Sequence, residues 1–313
     1  MGLKEKLQRV GRYEYLLPAG VLNKRQRAVK FFLSETLYEL LEEDAVLQAA
    51  NAATLPGVVE PVVVMPDVHV GYGFPIGGVM ATDPAEGGII SPGAIGYDIN
   101  CGVRLIATNL EGKDVKKRLD SIMRALLHGV PAGVGSTSKI KLSKSKMKEV
   151  LRLGAKWAVS RGFGKKEDLE HAEGYGQLPF ADPEAVSNEA YERGSDELGT
   201  VGSGNHFVEV QEVEEVYEPE VAKALGFHKG QVMIMVHSGS RGLGHQVATD
   251  YIKVALRASG KYRIELPDPE LACVPLNSPE GQRYWGAMNA AANYAFANRQ
   301  ILGWISTSAV AKA

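Results

Sequence analysis

Asp98, Cys101, His206 and His237 are of the residue types that bind metal ions, and each lies in a glycine-dense segment. The segments read YDINCGVRL (97–105), GTVGSGNHFVEVQ (199–211) and MVHSGSRGLGHQV (235–247). Each puts its ligand-type side chain where an apolar, β-branched run meets a loop, the usual address of reactive groups on a rigid scaffold. A carboxylate, a thiolate and two imidazoles can close a shell around one divalent ion, or hold two ions in open shells that leave room for substrate. Softness favours zinc for thiolate and imidazole, while carboxylate and phosphate oxygens suit manganese or magnesium, so the donor set alone leaves the metal open. Glycine is costly in regular structure and gathers where backbone turns sharply or approaches a ligand. Gly96, Gly102, Gly199, Gly202, Gly204, Gly239, Gly242 and Gly244 all lie near these residues.

Strands must end at these loops. VVEPVVVMP (58–66), GGVMAT, CGVRLIAT, HFVEVQEV (206–213) and VMIMVHS (232–238) read as strands from their β-branched runs. In the fourth, strand alternation puts Asn205, Phe207 and Glu209 on one face. Helices are expected over Lys24–Asn51, over 115–129 with Gly129 and Pro131 ending it, around Lys146–Arg161, over 245–259, and over about Pro279–Ile301. With no internal repeat and no low-complexity linker, one intertwined α+β domain with mixed sheets flanked by helices is favoured over two modules.

Composition fits a folded chain. Its 313 residues, 45% hydrophobic, suffice for a substantial core. The net charge of −2 is not that of a protein basic overall, so nucleic-acid contact has to come from local patches. Two cysteines, Cys101 and Cys273, make no disulfide framework; with no signal peptide and no apolar run long enough to span a bilayer, the cytoplasm is the expected compartment and no membrane partner is expected.

Four ordered motifs carry a resemblance. MPDVHVGYGFPIGGV (65–79), GAIGYDINCGVRL (93–105), GSGNHFVEV (202–210) and HSGSRGLGH (237–245) closely resemble the RtcB family of GTP-dependent RNA-splicing ligases. The resemblance implies RNA ligation: an RNA 3′-phosphate or 2′,3′-cyclic phosphate end joined to a 5′-hydroxyl end, with GTP and two manganese ions, in tRNA splicing and RNA repair. It implies Cys101 as a bridge between two ions, His206 completing one shell, and Asp98 with His237 holding the other. It implies Asn205, His206, Phe207, Val208 and Glu209 as the GTP pocket, with Asn205 near phosphate and Glu209 on guanine, and a phosphate contact for Arg241. Cys101, Asn205 and Arg241 are thus the expected catalytic residues, and the partners are RNA (tRNA halves or broken ends), GTP and the family's activating protein, archease.

The resemblance extends to about Gln300. Residues 1–302 are therefore expected to form the family's ligase domain and GWISTSAVAKA (303–313) a divergent tail. Family members continue into a portion bearing a further metal-binding His and the His that is guanylylated. Neither has a counterpart here, so the chain is expected to be C-terminally incomplete and inactive alone, with Tyr294, Ile301 and Trp304 left as an exposed apolar patch. Two other classes compete: a metal-dependent phosphoesterase acting on RNA ends, and a non-catalytic remnant that binds metal or RNA. His69, Asp67 and His245 are weaker candidates for orienting a ligand. The lysines of KIKLSKSKMK (139–148) and RGFGKK (161–166) read better as a solvated face than as an RNA track, because aromatic stacking partners are absent. The short glycine patterns GYGF (71–74) and GVGS (133–136) carry little weight.

Overall fold

The computed structural model describes residues 2–133 and 135–313, so that Val134 of the GVGS pattern lies outside the described residues. The fold is α+β. Among the described residues the strands are β1 (Gln8–Arg9), β2 (Glu14–Leu17), β3 (Val29–Phe32), β4 (Val62–His69), β5 (Ile76–Val79), β6 (Ile89–Ile90), β7 (Gly102–Glu111), β8 (Phe207–Glu212), β9 (Gln231–Ser238) and β10 (Val274–Pro275). The α+β class is as expected, and the chain divides into two compact units that interleave in sequence, Met1–Tyr97 with Ala248–Trp285 and Asp98–Val247 with Gly286–Ala313.

In the first unit, β1 to β5 form a mixed sheet in sequence order; β3 and β4 are parallel and the other pairs antiparallel. Its core gathers Leu17, Phe31, Val46, Val62, Val64, Leu271 and Cys273. The helix expected over Lys24–Asn51 is corrected here: VKFF is strand β3, and two separate helices follow, Glu35–Leu40 and Glu43–Ala52. Phe31 is buried while Phe32 is half-buried, the alternation of a strand rather than a helical stripe. Ser34 then caps the first helix by accepting the Leu37 N–H at 3.2 Å.

The second unit is built on a three-stranded antiparallel sheet in the order β7-β9-β8. Val232, Ile234 and Val236 of β9 face a core shared with Ile122 and Leu126 of the Leu119–Gly129 helix and Leu302 and Val310 of the last helix. The helix expected around 146–161 is broken into Lys144–Leu153 and Ala155–Ser160 at Gly154, whose φ of 56° a side chain would resist. The last helix runs Pro279–Lys312, so the segment expected as a tail continues it. The expected apolar patch is not there: Tyr294 and Ile301 are fully buried, and only Trp304 is exposed, at 39%. Among the described residues no helix is long and apolar enough to cross a membrane.

Candidate metal centre

The expected ligands converge at one end of the second unit's sheet. His237 lies near the end of β9, paired with Val103 of β7 on one side and Phe207 of β8 on the other. His206 immediately precedes β8. Asp98 and Cys101 flank a tight turn closed by the Cys101 N–H donating to the Asp98 carbonyl at 2.9 Å. Asn100 takes φ 58° in that turn, a left-handed conformation asparagine tolerates better than most residues.

Cys101 Sγ lies 3.2 Å from His206 Nε2 and 3.1 Å from His237 Nε2, and the ligand atoms of these three residues all lie within 4.8 Å of one another. Each imidazole has its other nitrogen committed. His206 Nδ1 is 3.0 Å from the Val201 carbonyl and His237 Nδ1 is 2.9 Å from the Asn205 carbonyl. A carbonyl only accepts, so both Nδ1 atoms donate, and in that tautomer each Nε2 presents a lone pair to the cluster. Asp98 Oδ2 lies 2.8 Å from His206 Nε2, yet it is buried and has no hydrogen bond of acceptable geometry. Two lone pairs at that distance repel unless a positive centre, a proton or a metal ion, sits between them. Cys101, His206 and His237 thus form a possible binding cluster for a divalent cation, with the Asp98 carboxylate beside His206.

Charge is managed around the cluster. Burial works against the ionised Asp98 carboxylate, but contacts with His206 and Cys101 and a hydrogen bond from Ser240 outweigh it and hold its pKa below the ordinary value. Ser240 Oγ and the Arg241 backbone N–H both donate to Asp98 Oδ1 at 3.2 Å. Desolvation of the sulfur, with the Asp98 charge beside it, pushes the Cys101 thiol up to about 12. A cation has to displace that proton to gain a thiolate. Gly239 is dictated by contact: a Cβ there would come within 2.2 Å of Asp98 Oδ2.

The GTP-pocket candidates divide. Phe207 and Glu209 face the same side of the sheet as His237, with the Phe207 ring centroid 5.3 Å from the His237 ring. Val208 faces the other way and packs on the core. Asn205 lies in the turn before β8, and its carbonyl accepts from His237 Nδ1. Beside Phe207 and His237 the open face continues with Val103 and Leu105 of β7, 54% and 45% exposed. The Arg241 guanidinium lies against Gly202, donating to Thr200 Oγ1 at 3.2 Å with Glu197 at 4.0 Å. His69 belongs to the first unit, its Nδ1 on the Asp67 carbonyl at 2.9 Å, and His245 packs on Arg193 at 3.4 Å; neither joins the cluster. Of the lysine-rich segments, Lys148 is paired with Glu184 and Arg161 with Glu149.

Residues overlooked in the sequence hold the loops in place. Asn298, Arg299 and Gln300 are buried in the last helix. Asn298 Nδ2 donates to the Thr200 and Gly239 carbonyls and to Ser238 Oγ, at 3.1, 3.2 and 3.0 Å, and its Oδ1 accepts the Gly199 N–H at 2.7 Å. Ser238 Oγ in turn donates at 2.8 Å to the Val201 carbonyl that orients His206. The available signal was three successive polar residues in an Ala-rich apolar helix.

The sequence profile of the family described as tRNA-splicing ligase RtcB matches residues 48–313. The chain is 49% identical to the tRNA-splicing ligase RtcB of Archaeoglobus fulgidus, over 97% of this chain and 63% of that protein. It is 50% identical to the protein of the same name from Thermococcus kodakarensis, over 96% and 63%. It is 48% identical to the RNA-splicing ligase RtcB of Mycobacterium tuberculosis, over 82% and 60%. The chain thus spans less than two-thirds of the length of these relatives.

Proposed function

The chain belongs to the RtcB family, and from that membership we propose that it serves RNA ligation, joining 3′-phosphate or 2′,3′-cyclic phosphate ends to 5′-hydroxyl ends with GTP and manganese in tRNA splicing and repair. The observation that carries the reading is the pair of imidazoles whose Nδ1 protons are committed to carbonyls while both Nε2 atoms meet Cys101. Bound there, divalent ions would neutralise charge on phosphate oxygens and polarise phosphorus for displacement.

The chain's own residues prepare the site for that. Cys101 stands between the two histidines and would supply a ligand alongside either of them. Asp98 adjoins His206 rather than His237, so the distances favour Asp98, Cys101 and His206 as one set and Cys101 with His237 as the start of the other. Ser240 and the Arg241 N–H keep the Asp98 carboxylate aimed. On the open sheet face, Phe207 offers a ring and Glu209 a carboxylate suited to accept from guanine, both on the His237 side. Arg241 takes a phosphate contact by releasing Glu197, which it holds only at 4.0 Å.

An RNA oligonucleotide ending in a 3′-phosphate tests this reading. Retention by the protein should require manganese and should disappear in Cys101→Ala. Retention indifferent to manganese, to Cys101 and to the 3′-phosphate would overturn it.

A further inference from the structure

Asn298, Arg299 and Gln300 share one helix and comparable burial, but their hydrogen bonds end in different places. Those of Arg299 end beside the metal centre. Its guanidinium donates to the Asn100 carbonyl, to Asn100 Oδ1 at 3.0 Å and to the Ser238 carbonyl at 3.0 Å. Asn100 precedes Cys101 and Ser238 follows His237, so one rigid planar group grips the backbone next to two ligands whose Sγ and Nε2 lie 3.1 Å apart. The guanidinium carbon also stands 5.3 Å from the centre of the Phe296 ring, a cation–π contact. Asn100 is held from a second direction by its Nδ2 donating to the Ala292 carbonyl at 2.9 Å. Gln300, one residue on, bonds instead to Arg104, Phe163 and Asp168.

We propose that Arg299 is a positioning residue for the metal centre: by holding Asn100 and Ser238 on one guanidinium, it sets the separation between Cys101 and His237. The proposal rests on the metal-centre reading above. A lysine cannot replace the arginine here, because one ammonium on a flexible stem cannot reach three acceptors in a fixed plane. Residues of this kind, which touch the ligands' supports rather than the ion, change metal affinity by about 10- to 100-fold when removed.

Cobalt(II) titration of the whole chain provides the test, followed through the thiolate-to-cobalt charge-transfer band and the apparent affinity. Arg299→Ala should bind about 10- to 100-fold more weakly with an altered band, while Gln300→Ala, equally buried in the same helix, should keep wild-type affinity and band. Equal loss in both variants would make Arg299 a helix anchor and overturn the proposal, as would wild-type affinity in Arg299→Ala. Should the alanine variant not fold, Arg299→Lys is read in its place: weakened binding supports the proposal and wild-type binding overturns it. The two readings fail separately. A wild-type chain without the band removes the metal centre and this proposal with it, whereas a band abolished by Cys101→Ala but untouched in the Arg299 variants removes only the role of Arg299.

Discussion

Cys101 and Cys273 are the same residue type, and each has its thiol pushed up to about 12, yet their surroundings differ in the one respect that matters for chemistry. Cys273 sits among Leu271, Phe31 and Val64 in the first unit's core, and burial alone accounts for its shift. Cys101, in an exposed position, faces a carboxylate and two imidazoles whose outer nitrogens are tied to carbonyls. A raised thiol pKa is therefore no mark of a site. Unsatisfied lone pairs converging on the sulfur are, because they create a demand for positive charge that an apolar pocket does not.

The largest effect that would break this contrast is on metal uptake. Cys101→Ala should abolish tight manganese binding measured by elemental analysis after gel filtration, and Cys273→Ala should leave the stoichiometry unchanged. Equal stoichiometry in wild type and Cys101→Ala would put the two cysteines on the same footing and end the assignment.

Gly239→Ala comes next. Its Cβ cannot share space with Asp98 Oδ2, so the carboxylate must swing away from His206. Metal affinity should fall about 10-fold or more, by the usual sensitivity of sites to displaced ligands, with calorimetry as the check. An unchanged affinity would mean that Asp98 is not a ligand.

A third expectation sharpens the comparison through pH. Below about 12 the metal-free Cys101 thiol is protonated, so a cation binding the thiolate releases that proton. Affinity should then rise about tenfold per pH unit while the free thiol stays protonated, that is, below about 12. A titration series in Cys273→Ala should show the same slope; a flat profile in wild type would exclude thiolate ligation.

The smallest effect concerns stability. Cys273→Ala removes a fully buried sulfur and should cost about 1 kcal/mol in urea unfolding. The sign of its pH dependence follows from a folded-state pKa raised above the ordinary 9.0. The buried neutral thiol contributes stability that is fully present below pH 9 and lost as pH rises toward about 12, because the unfolded chain ionises first. Urea midpoints between pH 8 and 11 should therefore decline less in Cys273→Ala than in wild type, and parallel declines would count against the shift.

Much of the scaffold was legible. The β-branched runs of β7, β8 and β9 gave their positions to within a few residues, since an apolar run bounded by glycine-rich turns has few other ways to satisfy its backbone. The helix expected over Lys24–Asn51 failed because two adjacent phenylalanines fit both a helical stripe and a short strand, and only pairing of β3 with β2 and β4 settles which. The break at Gly154 was similarly hidden, since a glycine inside a helical pattern is ambiguous until a neighbouring element decides its φ.

For the site itself, the sequence by itself determined which atoms could bind metal: Asp98, Cys101, His206 and His237 are named by their chemistry and by the glycines around them. Residue type does not encode distance, however. Only the tertiary structure decided that Asp98 adjoins His206, that Val208 turns from the open face into the core, and that Asn205 serves His237 through its backbone. It also decided that Arg299, 199 residues from Asn100, holds the Cys101 turn. Such bonds come from long-range packing of a buried helix against loop carbonyls, and a carbonyl's need for a donor looks the same at every position in a sequence.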